Sequence, residues 1–144
     1  MNVFVLRLSF FLHLFLFLYS NQSLSQQMLS YKLGENFLYN ISFAGIKVGD
    51  GSLKINSIEK INNKTCFHII GAGKTTPFFD FFFKVRDTYE TYLDTSSILP
   101  VRFKRDISEG GFKKKQLYNF NHSDSIVYVE DTTYYIYKSS QDML

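Results

Sequence analysis

The stretch Thr76–Tyr92 reads T-P-F-F-D-F-F-F-K-V-R-D-T-Y-E-T-Y and decides the fold class. Five phenylalanines fill the positions from Phe78 to Phe83, interrupted only by Asp80. An alternating run follows. As a strand it sets Phe83, Val85, Tyr89 and Leu93 on one face, and Lys84, Arg86, Thr88 and Glu90 on the other. A buried Phe side chain is worth roughly 1.5–3 kcal/mol, so the cluster is expected close to the centre of the core. Pro77 ends the preceding strand, because it lacks a ladder donor. Residues 78–82 are then either a short helical turn plugging one end of a barrel or the buried start of the next strand.

Working outward, the same alternation recurs on both sides. Glu35–Phe43 places Phe37, Tyr39, Ile41 and Phe43 on one face. Gly45 and Gly49 bracket Ile46-Lys47-Val48, read as a short bend or bulge before a second strand over Gly51–Ile61. Asn62-Asn63-Lys64 is a tight-turn signal, since Asn tolerates positive φ. Thr65–Thr75 returns as a third strand, with Gly71 and Gly73 marking a bulge or a close backbone approach. After strand four, Phe83–Leu93, come Val101–Ile107, Lys113–Asn121, Ser125–Glu130 and Thr133–Lys138, separated by turn residues. About eight short strands with no convincing amphipathic helix predict an all-β, mainly antiparallel sheet curved into a barrel or half barrel. Ser139–Leu144 reads as a polar break followed by a helix cap, as though the chain were cut where a helix should begin.

Composition agrees. The chain has 144 residues, 16 Phe, 10 Tyr, 2 Pro and no Trp, which favours strands over helices. A formal net charge of +3, from 16 basic and 13 acidic residues, is ordinary and gives no nucleic-acid footprint. Lys113-Lys114-Lys115 beside Gly110-Gly111 reads as a solvated turn.

Residues 1–25 read as a signal peptide. Arg7 is their only charged side chain, a run of about a dozen mostly apolar residues follows, and Ser23-Leu24-Ser25 offers a cleavage site. The run falls short of the ~20 residues a membrane span needs. The chain is therefore expected to be exported, with residues 26–144 forming one β-rich domain that does not span the membrane. Cys66, the single cysteine, alternates with His68 and Ile70 and reads as a buried structural thiol.

No motif signposts chemistry. Gly71-Ala72-Gly73-Lys74-Thr75-Thr76 ends like a phosphate loop, but His68 stands where the first glycine belongs and Pro77 blocks the helix that should follow, so no nucleotide is expected. His68 and His122 lack the converging ligands a metal needs, no nucleophile elbow appears, and no cofactor is implied. One pairing stands out. Asp87 breaks the apolar face of strand four and Arg105 that of strand five, and a hairpin would set Arg105 near Asp87 or Tyr89, depending on register. A buried charge needs a partner, so an Asp87–Arg105 contact is expected, as a structural ion pair or a polar ligand anchor. Glu109 reads as a turn residue.

Several of these stretches resemble a family of exported bacterial proteins, domain of unknown function three-one-zero-eight. They are the Phe37-x-Tyr39-x-Ile41-x-Phe43-x-Gly45-Ile46-x-x-Gly49 opening, Gly73-Lys74-Thr75, Phe78-Phe79-Asp80-x-Phe82-Phe83-Lys84-Val85-Arg86-Asp87, Leu99-Pro100 and Glu109-Gly110-Gly111. The resemblance implies a periplasmic, β-rich protein with a curved antiparallel sheet, similar in shape to lipoprotein-carrier half barrels. With the leader, it implies a location in the periplasm or cell envelope, but no activity and no catalytic residue.

The function expected first is a binding or carrier module for an apolar or amphipathic envelope molecule, such as a lipid. Its contact residues would be Phe78, Phe79, Phe82 and Phe83 from the cluster, with Asp87, Tyr89, Phe103 and Arg105 from strands four and five; Phe37 and Val85 would extend the lining. A structural or assembly protein acting on an envelope partner through a sheet edge or aromatic patch comes second. A hydrolase of envelope glycans or lipids comes third.

Overall fold

The computed structural model describes residues 31–144, so the leader expected at residues 1–25 lies outside them. Eight strands follow one another: β1 (Asn36–Phe43), β2 (Ile46–Ile61), β3 (Lys64–Thr75), β4 (Arg86–Asp94), β5 (Pro100–Glu109), β6 (Phe112–Asn121), β7 (Ile126–Val129) and β8 (Thr132–Tyr135). A single helical turn, α1 (Pro77–Asp80), lies between β3 and β4. The strands form one antiparallel sheet in sequence order, each paired with its chain neighbours. The links explain the order. Ala44-Gly45, Asn62-Asn63 and Gly110-Gly111 all take positive φ at both residues, the condition for two-residue hairpins that return each strand beside the last. Among the described residues β1 and β8 each pair on one side only, so the sheet is open, not a closed barrel. Register shifts at Ile41/Ser42, Ile55/Ser57 and Tyr92/Leu93 add the bends and local twist that bulges bring.

One expectation holds and another needs correction. The bend or bulge expected at Ile46–Val48 is a bulge: β2 starts at Ile46, and Ile41 and Ser42 of β1 face Gly49 and Lys47, which leaves Val48 as the extra residue on β2. Gly49 fits inside this strand because a Cβ there would meet the Lys74 carbonyl oxygen at 2.6 Å, so its absence lets β3 approach. The correction concerns the aromatic run. The phenylalanine cluster is not in the core: Phe78 is 70% exposed, Phe82 68% and Phe81 87%. Consecutive rings cannot share one face of a strand, and Pro77 starts a helical turn in place of a ladder. A polar clasp at the base holds this knuckle. Thr75 Oγ1 donates to Asp80 Oδ1 at 2.5 Å and receives the Val85 N–H at 2.9 Å, while Arg86 grips both Asp80 oxygens at 3.0 and 2.5 Å.

The core is built by alternation. Ile55, Ile69 and Leu93 pack together on one face of β2–β4, with Leu53, Phe67 and Ile98 against them. Phe103, Ile107, Val127 and Val129 are also buried. At the Tyr92/Leu93 shift, Tyr92 faces Arg102 and Leu93 faces Pro100, which leaves Val101 as the extra residue. Val101 therefore packs with Cys66 and Tyr92 in a second cluster. Cys66 is buried, as expected, and burial pushes its thiol up, with the charge of Asp94 adding to the effect.

Candidate functional site

Cross-strand partners point to the same side, so the register divides the sheet into two faces. Phe103 faces Thr91 and Tyr118; Arg105 faces Tyr89 and Gln116. Tyr89 and Thr91 in turn face Gly71 and Ile69, which face Leu53 and Ile55. This is the apolar face. An aromatic ladder crosses it, with Tyr89 stacked on Phe103 at 6.2 Å between ring centroids and Tyr118 tilted against Phe103 at 5.5 Å. Beside the ladder, Gly71 and Gly73 leave a floor without side chains, and a Cβ at Gly73 would meet nothing within 4 Å.

Residues 141–144 lie across this face. Gln141 Nε2 donates to the Ile98 carbonyl at 3.3 Å, Thr91 Oγ1 donates to the Asp142 carboxylate, and the Leu144 side chain sits where a Cβ on Gly71 would fall. Burial raises the Asp142 carboxyl above its ordinary value, against the lowering effect of the Thr91 hydroxyl and the Leu144 amide. Thr91 is only 2% exposed. The face thus accepts an apolar side chain on the glycine floor and a carboxyl group on Thr91. The helix expected to start at Ser139–Leu144 is not formed.

The residues expected from the sequence to bind divide into two groups. Asp87, Tyr89, Phe103 and Arg105 come together on the apolar face. Asp87 and Arg105 share that face, yet they form no ion pair among the described residues. Asp87 instead accepts the Ser108 N–H at 3.0 Å, and Arg105 takes the other register, opposite Tyr89. The Arg105 Nε is buried with no hydrogen-bond partner. The Tyr89 hydroxyl is raised, first by burial and then by the Asp87 charge, with Arg105 opposing. Phe78, Phe79, Phe82 and Phe83 are elsewhere, in the knuckle between β3 and β4. Its rings pack on one another, Phe78 on Phe79 at 5.2 Å and Phe78 on Phe82 at 5.7 Å, and Phe83 lies over Gly110. Phe37 stands half exposed on β1, and Val85 bridges Glu109.

The opposite face is polar, and its main feature had not been read from the sequence. The imidazole of buried His68 lies between two carboxylates, with Nε2 2.8 Å from Glu90 and Nδ1 3.2 Å from Glu59, and it stacks on Tyr92 at 4.5 Å. Lys104 completes the group, 3.1 Å from the Tyr92 hydroxyl and 3.4 Å from Glu90. Burial pushes the Glu90 carboxyl up, but the His68 hydrogen bond and the Lys104 charge outweigh it and hold the group below its ordinary value. Both ring nitrogens of His68 are engaged, so this network ties β2, β3, β4 and β5 together. An open groove of about 680 Å³ lies farther along the same face, over Ser52, Ala72 and Thr88 and beside Lys74 and Arg86. Only the register brings these residues together, and register leaves no local trace in the sequence.

One family model matches the chain over residues 38–141, and its description is "Protein of unknown function (DUF3108)". The chain belongs to this family. The DUF3108 match starts inside β1 and ends at Gln141, so it takes in all of β2–β8, the knuckle and the first tail contact at Ile98. No curated protein and no solved structure matches the chain.

Proposed function

We propose that the protein is an exported binding or carrier module whose apolar sheet face holds an apolar or amphipathic envelope molecule. One observation carries this reading: the face already accommodates such a group in residues 141–144, with a leucine on the glycine floor and a half-buried carboxyl on Thr91. A fatty acid or similar amphiphile presents the same two features. The aromatic ladder of Tyr89, Phe103 and Tyr118 supplies a further apolar wall. The apolar leader that begins the sequence supports export, and with it a place in the periplasm.

The test is titration of the full chain with a fluorescent long-chain fatty-acid analogue. Saturable binding is expected, competed by unlabelled fatty acid. Gly71→Leu, which fills the floor, and Thr91→Val, which removes the hydroxyl, should each weaken it by about tenfold or more. Absence of saturable binding, or binding that neither substitution changes, would overturn the proposal.

A second reading, an assembly protein that engages an envelope partner through a sheet edge, is favoured by β1. All eight of its residues are exposed, and among the described residues its outer edge is unpaired. Crosslinking from position 38 in cells separates the two readings.

A further inference from the structure

The connections of an antiparallel meander alternate between its two ends. The β1–β2 hairpin, the β3–β4 knuckle and the β5–β6 hairpin all fall at one end, and backbone hydrogen bonds join them. Thr76 N–H donates to the Val48 carbonyl at 3.0 Å, and Gly110 N–H to the Lys84 carbonyl at 2.9 Å. The β7–β8 turn is set back from this end, because Val129 pairs with Tyr118 in the middle of β6.

The joined end carries an unusual load of exposed apolar side chains: Phe43 and Ile46 from the first hairpin, Phe78, Phe81 and Phe82 from the knuckle, and Phe112 from the third connection. A large exposed apolar patch on a folded domain marks an interaction surface. Its shape argues against a pocket, since the rings stand out from a single helical turn clasped at its base by Thr75, Asp80 and Arg86. Its charge points to the partner. Lys84, Lys113 and Lys114 are exposed around the patch and enter no ion pair found among the described residues. The acids there are Asp50, paired with Lys47 at 2.6 Å, Asp80, paired with Arg86 at 2.5 Å, Asp106, paired with Lys115 at 2.7 Å, half-buried Glu109, and Asp87, which is buried and bonded to the Ser108 amide. The end is therefore apolar at its tip and cationic around it. Aromatic rings settle at the headgroup level of a bilayer, and lysines beside them are drawn to anionic headgroups.

We infer that this end docks on the surface of an anionic lipid bilayer, with the knuckle rings entering the headgroup region and the lysines meeting lipid phosphates. The docking is peripheral and rests on the knuckle, whatever the apolar face binds.

The chain contains no tryptophan, so Phe81→Trp supplies a single reporter at the tip. The full chain carrying it is mixed with vesicles of phosphatidylcholine alone, or of equal parts phosphatidylcholine and phosphatidylglycerol. On anionic vesicles the emission is expected to shift to shorter wavelength and to be quenched by brominated lipid. High salt should reverse the shift. Lys84→Glu, Lys113→Glu and Lys114→Glu together should lower vesicle binding about a hundredfold. The same reporter at exposed position 135, Tyr135→Trp, should stay in water. Three results would each overturn the inference. The reporter at position 81 could remain water-like while the protein sediments with vesicles, which would mean that another segment carries the binding. It could respond equally to neutral and anionic vesicles. Or it could be buried without lipid and released on dilution, which would assign the patch to a second copy of the chain.

Discussion

Phe103 in β5 and Phe81 in the knuckle between β3 and β4 are the same residue type, and they have opposite fates. Phe103 is 3% exposed between Tyr89 and Tyr118, whereas Phe81 is 87% exposed at the tip of the knuckle. What separates them is the pattern around each. Phe103 sits in Val101–Ile107, where apolar and polar residues alternate and one side of the strand can be buried whole. Phe81 sits among consecutive phenylalanines after a proline, where any strand would put half the rings on the wrong side. Alternation, not the density of apolar residues, decides which aromatic rings enter the core.

The comparison makes its strongest prediction at those two positions. Phe103→Ala should destabilise the protein by about 3–5 kcal/mol, and Phe81→Ala by no more than about 0.5 kcal/mol. Both are read by chemical denaturation of the full chain, and similar losses at the two sites would break the contrast. Gly110→Val tests how firmly the knuckle is seated. The glycine has φ +54°, and a Cβ there would fall 2.2 Å from the Phe83 ring. Unfolding should become easier by about 1–3 kcal/mol, and restoring space with Phe83→Ala should recover part of the loss.

Protonation sharpens the contrast between the sheet and its tail. Burial pushes the Asp94 carboxyl up, but the Ser96 amide and hydroxyl, at 2.9 and 2.7 Å, and Lys64 at 3.2 Å hold it well below the usual carboxylate range. Its contribution to stability is present above the unfolded value of about 3.9 and is lost as pH falls through the folded value. Asp142 has the opposite sign. Its raised carboxyl favours docking of residues 141–144 at low pH, and that contribution is lost as pH rises from about 3.9 through the docked value. The protection of the Leu144 amide, relative to its intrinsic exchange rate at each pH, should therefore rise as pH falls toward about 3.9, and global stability should fall on further acidification below that. Asp94→Asn should flatten the global trend and leave the tail trend unchanged. Movement of both in the same direction would contradict these assignments.

Much of the fold was legible in the sequence because it is local. The Asn62-Asn63 and Gly110-Gly111 turns and the alternation of β1 and β3–β6 leave one-dimensional signals, and hairpin links then fix the strand order. The knuckle departs from its expected place in the core because alternation, not apolar density, decides burial. For the site, the Asp87, Tyr89, Phe103 and Arg105 grouping follows from pairing β4 with β5, which a hairpin reading supplies. The Asp87–Arg105 ion pair did not follow, because Tyr89 and not Asp87 falls opposite Arg105, and Ser108 supplies the Asp87 partner. Thr91, Gly71 and the tail contact are separated by up to half the chain. The His68–Glu90–Lys104 network likewise depends on the register of three strands.

The most direct measurement is native mass spectrometry of the full chain purified from the cell envelope, wild type beside Gly71→Leu, with lipid extraction of both. The account predicts that an amphiphile of defined mass is carried by the wild type and is largely lost from Gly71→Leu, with unfolding midpoints nearly equal. Bare protein in both samples, or the same bound mass in both, would contradict a binding role for the apolar face.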